Sequence, residues 1–318
     1  MLLKHFRRNR IMADQSKFLW FNGKIVPWQE AKVHVMSHAL HYGSGVWEGI
    51  KCYKTNNGPA IFRLNEHIDR LFNSAKNYDI DIPFSAYEIK KACIDVVNVN
   101  GYNNCYIRPI AFYGFDTLGV YPKNCPVEVS IASFYWANYL GEDSFKKGAK
   151  VTISKWKRLS TNAFPSSTKA SGQYLNSLLA VQDAKKRGYD EAILFNESNL
   201  IAEGSGQNIF IVKDDEIYTN DEDASILMGI TRDTVLEICK KLSIKAHIAD
   251  ISREMIENAD EIFFSGTASE ITSVTSIDDE LVKTGKPGNI TKQIRDIYLD
   301  IVHGREIFDE NWLTFTNQ

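Results

Sequence analysis

The chain has 318 residues, of which 44% are hydrophobic and 24% are charged, a composition typical of globular proteins. Its net charge is −3, whereas a nucleic-acid-binding protein needs a strongly basic surface, so we expect no nucleic-acid partner. No apolar run reaches the roughly 18 residues of a membrane span, and the length predicts about two domains. The five cysteines contain no C-x-x-C pair, which disfavours a disulfide framework or a cysteine zinc site and favours a reducing compartment, the cytoplasm.

Residues 1–17 are predicted to form a basic, disordered tail. Met1–Arg10 carries four basic residues and no acid, and Met12 follows shortly after. The segment lacks the long apolar core of a secretory signal. It is interpreted as an ordinary tail, as a stretch before a translation start at Met12, or as a transit peptide.

Residues 18–134 are predicted to form a small N-terminal α+β domain. Its first element is a hairpin, since Asn22-Gly23 between two apolar runs is typical of a type I′ turn. In chain order, the patterns then predict strands near 45–53 and 60–63 and a helix with Ile68, Leu71, Phe72 and Ala75 on one face. A second helix is predicted to start with a capping box at Ser85 and Glu88 and to stop at Gly101. Two further strands are predicted at 105–112 and 127–134.

Residues 135–142 interrupt this pattern and are predicted to connect two domains. Their aromatic content is unusual for a plain linker and indicates that they line a site. Residues 143–318 are predicted to form a larger C-terminal domain. Its predicted strands lie near 150–156, 191–195, 207–212 and 261–265, and its predicted helices near 173–187, 232–242 and 291–302.

Three histidines have a spacing that could serve a metal ion. His34, His38 and His41 would share one face of a helix. Gly43 and Gly45 follow at once, however, and no carboxylate lies at a suitable spacing. We therefore expect a structural or pocket-wall role and no metal site.

Two segments of small residues are typical of anion sites. Met228–Asp233 opens a predicted helix, whose first amides would face a phosphate, although an ordinary helix cap at Thr231 is the simpler alternative. Ser265–Ser269 follows a predicted buried strand and could donate amides in the same way.

Two ionisable side chains also lie among small residues. Lys169 precedes a predicted helix without neighbouring bulk, and a desolvated lysine has a lowered pKa and can form Schiff bases. Glu203 lies in a glycine-rich turn before an apolar strand. Its carboxylate is either a turn residue or the partner of a cationic ligand atom.

Seven segments, in this order along the chain, carry a resemblance to known proteins: Val33–Gly43, Trp47–Ile50, Tyr106–Pro109, Ser167–Gly172, Ala202–Asn208, Gly229–Asp233 and Ser265–Ala268. They closely resemble the bacterial branched-chain amino-acid aminotransferases, pyridoxal-phosphate enzymes of fold type IV. The resemblance covers the chain from about Trp20 to its C-terminus, in order and with few gaps. It implies two α+β domains of the D-amino-acid aminotransferase type, with the cofactor between them.

The resemblance implies which residues hold pyridoxal 5′-phosphate. Lys169 matches the Schiff-base lysine, which is the catalytic residue. Glu203 matches the carboxylate that keeps the pyridine nitrogen protonated, and Tyr174 the phenol at the ring 3-oxygen. The residues that match the phosphate site are Arg63, Gly229, Ile230, Thr231 and Thr267.

The resemblance also implies a substrate pocket and an oligomer. Arg108, beside Tyr106, would bind the distal carboxylate of glutamate, and the Thr267–Ala268 amides the α-carboxylate. Leu118 and Val120 match residues that reach the neighbouring subunit, which implies a homodimer at least, or a hexamer of three dimers. The pocket matches also include the aromatic walls Tyr42, Trp47, Tyr174 and Trp136, together with Gly49.

The expected reaction is transamination of L-leucine, L-isoleucine and L-valine with 2-oxoglutarate. Two departures leave the substrate preference open, since Gln207 stands where glutamate is common and Trp47 where phenylalanine is common. The alternative is another fold type IV activity, D-amino-acid transamination or aminodeoxychorismate lyase, which Tyr106–Arg108 and Trp47–Gly49 disfavour. A metal hydrolase and a non-catalytic cofactor-binding module are the interpretations from other classes.

Overall fold

The computed structural model describes residues 16–136 and 139–317. Most of the predicted tail, residues 1–15, lies outside these ranges. The last two tail residues are held by the body of the protein. Ser16 is buried and donates its hydroxyl to the Ser133 carbonyl, and the Lys17 amide donates to the Asn100 side chain at 3.0 Å.

A first sheet contains eight strands of the described residues. The strands are β1 (Phe18–Phe21), β2 (Lys24–Pro27), β3 (Gly45–Trp47), β4 (Ile50–Thr55), β5 (Gly58–Phe62), β6 (Cys105–Tyr113), β7 (Val127–Phe134) and β17 (Leu313–Phe315). Their order is β17-β5-β4-β6-β7-β1-β2, with β3 also paired to β6. The predicted hairpin is confirmed, with positive φ at Asn22 and Gly23.

Two helices cover this sheet after a single turn of helix, α1 (His38–Tyr42). They are α2 (Leu64–Lys76) and α3 (Ala86–Asn100). The capping box predicted at Ser85 and Glu88 is present, and α3 ends at Gly101 in the left-handed conformation. The buried faces of both helices pack with strand residues such as Ile50 and Ile107 into one apolar core.

A second sheet contains nine strands of the described residues. They are β8 (Ala149–Ile153), β9 (Glu191–Phe195), β10 (Ile201–Gly204), β11 (Asn208–Lys213), β12 (Glu216–Thr219), β13 (Ala246–Ile248), β14 (Glu261–Gly266), β15 (Glu270–Ile277) and β16 (Glu280–Leu281). The order is β10-β9-β8-β15-β14-β11-β12-β13, with β16 paired to β15. The accompanying helices are α4 (Glu142–Lys147), α5 (Tyr174–Lys186), α6 (Ile230–Lys241), α7 (Arg253–Glu257) and α8 (Asn289–Val302).

The two sheets are joined through a shared core. Tyr53 and Phe62 of the first sheet pack with Phe210 and Phe263 of the second and with the apolar faces of α6 and α8. The C-terminal strand β17 also returns to the first sheet, where it pairs with β5. The first sheet therefore contains one strand from the end of the chain. The domain boundaries drawn from the sequence remain a prediction.

The largest strand that the sequence patterns missed is β15. Its eight residues include Thr272, Ser273, Thr275 and Ser276, all of them buried. Hydroxyl-rich strands of this kind lack the apolar signal on which the prediction depends. Within the described ranges, no helix is both long and apolar enough to cross a membrane.

Candidate active site

Lys169 lies in an extended segment that is bound to the first sheet. Its carbonyl accepts the Trp47 amide at 3.0 Å, and its own amide donates to Ser74 Oγ at 3.0 Å. The next turn approaches Gly43 very closely, because a Cβ on that glycine would lie 2.8 Å from Gly172 Cα. Gly43 also has φ +68°, so both its space and its backbone favour glycine. These contacts fix the direction of the lysine.

The amine of Lys169 is held by two aromatic side chains. Nζ donates to Tyr174 Oη at 2.7 Å and lies 4.4 Å from the Trp47 ring centroid. Burial lowers the pKa of Lys169 to about 8, although the Glu48 carboxylate opposes this shift. Burial raises the pKa of the Tyr174 phenol. A partly neutral amine beside a protonated phenol is suited to nucleophilic and acid–base chemistry.

Glu203 lies at the end of a buried strand, not in the turn where the sequence analysis located it. It is the third residue of β10 and is 4% exposed. Its Oε1 lies 2.9 Å from Arg158 Nε, and its Oε2 accepts Asn208 Nδ2 at 3.2 Å. Burial raises the pKa of Glu203, and the Arg158 charge opposes this. The sequence analysis missed both partners, since neither has a local signal.

Arg70 brings a second guanidinium to the site from α2. It donates to both oxygens of the buried Glu48, at 2.6 and 2.9 Å, and to the Met228 carbonyl at 2.9 Å. Glu48 also accepts His67 Nδ1 at 2.7 Å. Burial alone would raise the pKa of Glu48, but Arg70 and His67 hold it well below its usual range. The sequence analysis did not single out Arg70.

The N-terminus of α6 completes one end of the site. No side chain caps this helix, which begins directly after Gly229. A Cβ on Gly229 would lie 2.1 Å from Asn208 Oδ1, so glycine allows the helix to approach the strand that follows Glu203. Uncapped amides at the start of a 12-residue helix are suited to an anion.

The first cavity collects most of the residues predicted to hold the cofactor. Seven of them lie on its wall: Lys169, Tyr174, Glu203, Gly229, Ile230, Thr231 and Thr267. Arg63 is not among the lining residues, whereas Arg70 and Arg158 are. The Arg63 guanidinium instead donates hydrogen bonds to Glu66 and Asp233 and lies over the ring of Trp312. Arg70 and Arg158 therefore face the first cavity and Arg63 does not, and the residue that would hold the phosphate stays a prediction.

The second cavity adjoins the first and has a volume of about 510 Å³. Seven predicted substrate residues line it: Trp47, Gly49, Tyr106, Arg108, Trp136, Thr267 and Ala268. Arg108 donates to Tyr106 Oη at 3.3 Å, and its guanidinium carbon lies 4.0 Å from the Trp47 ring centroid. No carboxylate of the described residues pairs with Arg108, so an aromatic cage leaves this cation able to bind an anion. A Cβ on Gly49 would lie 1.7 Å from Tyr106 Oη, so only glycine leaves room for that hydroxyl.

Three predicted pocket residues lie outside both cavities. Tyr42 Oη donates to the Leu118 carbonyl at 2.7 Å, and both residues are partly exposed at the surface. Val120 is 79% exposed. Tyr42 lies with the surface loop that carries Leu118 and Val120. Its predicted role as an aromatic wall of the substrate pocket stays a prediction.

The three histidines do not form a metal site. His38 contacts Ser44 Oγ at 2.7 Å and the Gly119 carbonyl at 3.0 Å, and His41 contacts the Val35 carbonyl. His34 precedes α1 and accepts the Met36 amide. Among the described residues, no group of histidine, cysteine and acidic side chains could hold a metal ion.

The sequence and the fold of this chain have counterparts in known proteins. The family model described as amino-transferase class IV matches residues 45–277. The branched-chain-amino-acid aminotransferase of Escherichia coli (strain K12) is 42% identical over 307 residues, which cover 96% of this chain and 99% of that protein.

Solved structures of such enzymes superpose closely on this chain. The Escherichia coli branched-chain amino acid aminotransferase gives a TM-score of 0.93, at 42% identity over 95% of this chain and 100% of the other. The branched-chain amino acid aminotransferase from Thermobaculum terrenum, solved in its PLP-bound holo form, gives a TM-score of 0.86, at 37% identity over 94% of this chain and 98% of the other.

The coverage is nearly complete in both directions, and the fold is of type IV. The chain belongs to the class IV amino-transferases, in the family of branched-chain aminotransferases.

Proposed function

We propose that the protein exchanges the amino group of L-leucine, L-isoleucine or L-valine with 2-oxoglutarate. The products are the branched 2-oxo acids and L-glutamate, formed by a ping-pong mechanism with pyridoxal 5′-phosphate. The observation that carries the proposal is the position of Lys169. Its amine lies where the first cavity meets the second, with Glu203 on one side and the caged Arg108 on the other.

The donor set of the first cavity fits this cofactor. Lys169 would hold it covalently, Tyr174 would bind the ring 3-oxygen, and Glu203 would face the ring nitrogen. Arg70, the Ile230 and Thr231 amides and Thr267 would hold the phosphate. When bound, the cofactor supplies a conjugated ring that accepts the electron pair of the substrate Cα.

Lys169 also provides the proton transfer. With a pKa of about 8, about a tenth of its amine is neutral at pH 7, and this form can take a proton from the substrate carbon. Glu203 is shielded from water and faces the cavity, so it would pair with a protonated ring nitrogen. Arg158 and Asn208 keep this carboxylate in place.

The second cavity would accept two kinds of side chain. Trp47, Tyr106 and Trp136 offer apolar surface to a branched side chain. Arg108 lies within the same aromatic cage and would bind the distal carboxylate of glutamate or 2-oxoglutarate. The Thr267 and Ala268 amides would bind the α-carboxylate. One pocket would then serve both halves of the reaction.

Tyr42, Leu118 and Val120 support an assembly of at least two subunits, a homodimer or a hexamer of three dimers. They lie together at the surface, and Tyr121 beside them is 78% exposed. Exposed apolar groups of this kind often mark an interface between copies. We propose that they complete the substrate pocket of a neighbouring subunit. The five cysteines are free and buried, and the cytoplasm is the proposed location.

The test compares the purified protein with its Lys169→Ala variant. The parent should consume L-leucine and 2-oxoglutarate and should show a visible absorbance band that borohydride removes. Lys169→Ala should fold and lack both properties. Lys186→Ala, a change at the end of α5 away from both cavities, is the control. Absence of turnover by the parent with all three branched L-amino acids, or normal turnover by Lys169→Ala, would refute the proposal.

A further inference from the structure

One buried carboxylate near the second cavity has no part in the mechanism above. Glu191, the first residue of β9, is completely buried. Its Oε1 accepts the Ala192 amide at 2.8 Å, and its Oε2 accepts Gln207 Nε2 at 3.2 Å. A buried carboxylate is costly unless its oxygens are hydrogen-bonded. The Glu191–Gln207 contact is therefore an energetically important part of this region.

Gln207 is also buried and uses both ends of its amide group. While Nε2 donates to Glu191, Oε1 accepts the Gly206 amide at 3.2 Å. The Gln207 carbonyl accepts the Gly204 amide at 2.8 Å, which closes the turn after Glu203. The side chain thus joins Glu191 to the Ser205–Gly206 turn, and this turn lines both cavities.

The Glu191 carboxylate also lies close to Tyr139, in the segment between the two sheets. The Ser205 hydroxyl is adjacent to both Glu191 and Tyr139, and it partly offsets the rise that burial causes in the pKa of each. Tyr139 lines the second cavity, and its amide donates to the Ala268 carbonyl at 3.3 Å. Burial and the Glu191 charge raise the pKa of Tyr139 to about 12. Glu191 therefore contacts, directly or through Ser205, two walls of the second cavity.

We propose that Glu191 and Gln207 are a complementary acid–amide pair that positions the Ser205–Gly206 turn and Tyr139 for substrate binding. Glu191 lines neither cavity, whereas Gln207 lines both, but the amide of Gln207 is bound to Glu191 and Gly206, so we treat both as positioning residues. The pair works by matching donors to acceptors, so exchanging the two side chains preserves it, whereas two acids or two amides do not. The activity measurements below rest on the proposed function, and the unfolding measurements do not.

The first variant, Gln207→Glu, would place two buried carboxyl groups in contact. They can share a proton at low pH, but above the raised pKa of the pair both are charged and repel each other. The groups that face the pair are Tyr139, Ser205 and the Lys185 ammonium of α5. We expect KM for both amino and 2-oxo acids to be near the parent value at pH 6 and about tenfold higher at pH 9.

The reference variants are Glu191→Gln and the exchange Glu191→Gln with Gln207→Glu. In the exchange, the new amide at position 191 accepts the Ala192 amide and donates to the new carboxylate at position 207. That carboxylate still accepts the Gly206 amide, so every one of these hydrogen bonds is kept. We expect KM of the exchange variant to stay within about threefold of the parent at all pH values. Glu191→Gln alone loses one hydrogen bond. The ratio of its KM to the parent KM should not change with pH.

Thermal unfolding of the cofactor-free proteins provides the second readout. The melting temperature of Gln207→Glu, relative to the parent, should fall as pH rises, because the unfolded state ionises this acid more easily than the folded state. The exchange variant should show no such trend.

The proposal is overturned if KM and the melting temperature of Gln207→Glu show the same pH dependence as those of the parent. It is also overturned if KM of the exchange variant is no closer to the parent value than KM of either single variant. If Gln207→Glu does not fold, recovery of folding by the exchange supports the pair and its absence refutes it. Loss of all aminotransferase activity in the parent refutes the proposed function instead, and leaves the unfolding comparison intact.

Discussion

At the scale of single residues, the arginine before α2 and the arginine in the middle of α2 have different contacts. Arg63 precedes α2 and is saturated by Glu66, Asp233 and the Trp312 ring. Arg70, two turns later, donates in a bidentate manner to Glu48 and lines the first cavity. A guanidinium in such fixed geometry is not equivalent to an ammonium.

Replacement of each arginine by lysine separates the effects of these contacts. Arg70→Lys should weaken cofactor binding by about tenfold or more, since it loses the bidentate geometry that aims the cation into the cavity. Arg63→Lys should lower the melting temperature and leave cofactor affinity nearly unchanged. Both quantities follow from cofactor titration and thermal unfolding of the apoprotein. Equal losses of affinity would contradict the assignment of Arg70.

Arg108 should discriminate between the two kinds of substrate. Arg108→Met should raise KM for 2-oxoglutarate far more than KM for 4-methyl-2-oxopentanoate. The loss of a charge-assisted hydrogen bond costs about 1.5–3 kcal/mol, equivalent to about 10- to 150-fold. Half-reactions with each substrate alone measure the two effects. If the half-reactions with leucine and with glutamate are weakened equally, Arg108 supports the fold and does not select the substrate.

At the scale of elements, the approach of α6 to the second sheet shapes the anion end of the first cavity. Gly229 allows this approach, because a methyl group there would collide with Asn208, which also donates to Glu203. Gly229→Ala should therefore weaken cofactor binding by about tenfold or more, since the helix amides and the Asn208 contact both shift. Cofactor titration gives the affinity.

The matched control for this element is a helix terminus far from the site. Ser85→Ala removes the capping box of α3 and should lower the melting temperature by about 2 °C while cofactor affinity stays constant. If Gly229→Ala behaved like Ser85→Ala, α6 would have only a structural role.

At the scale of the whole molecule, the proposed sharing of pockets between subunits can be tested with mixed assemblies. Val120→Asp should be poorly active because its loop no longer completes a partner's pocket, and Lys169→Ala should be inactive in its own pocket. A mixed dimer purified with two tags contains one pocket with both Lys169 and an intact Val120 loop. It should show about half of the parent activity. Activity no greater than the mean of the two variants would argue against a shared pocket.

The sequence alone determined the features that local patterns encode. The hairpin at Asn22-Gly23, the capping box at Ser85 and the helix after Lys169 depend on residues close in the chain, and the structure confirms them. The type IV fold was also predicted, because the motif segments occur in the expected order.

Only the tertiary structure decided which distant side chains meet. Nothing near Arg70 in the sequence indicates that contacts with Glu48, which follows β3, and with Met228, which precedes α6, aim it into the cavity, whereas Arg63 is turned away. Likewise, Glu203 lies near the end of strand β10, and Gln207 donates a hydrogen bond to Glu191, sixteen residues away in the sequence. The physical reason is that local patterns report backbone preference and burial, whereas a long polar side chain takes its direction from elements that only folding brings together.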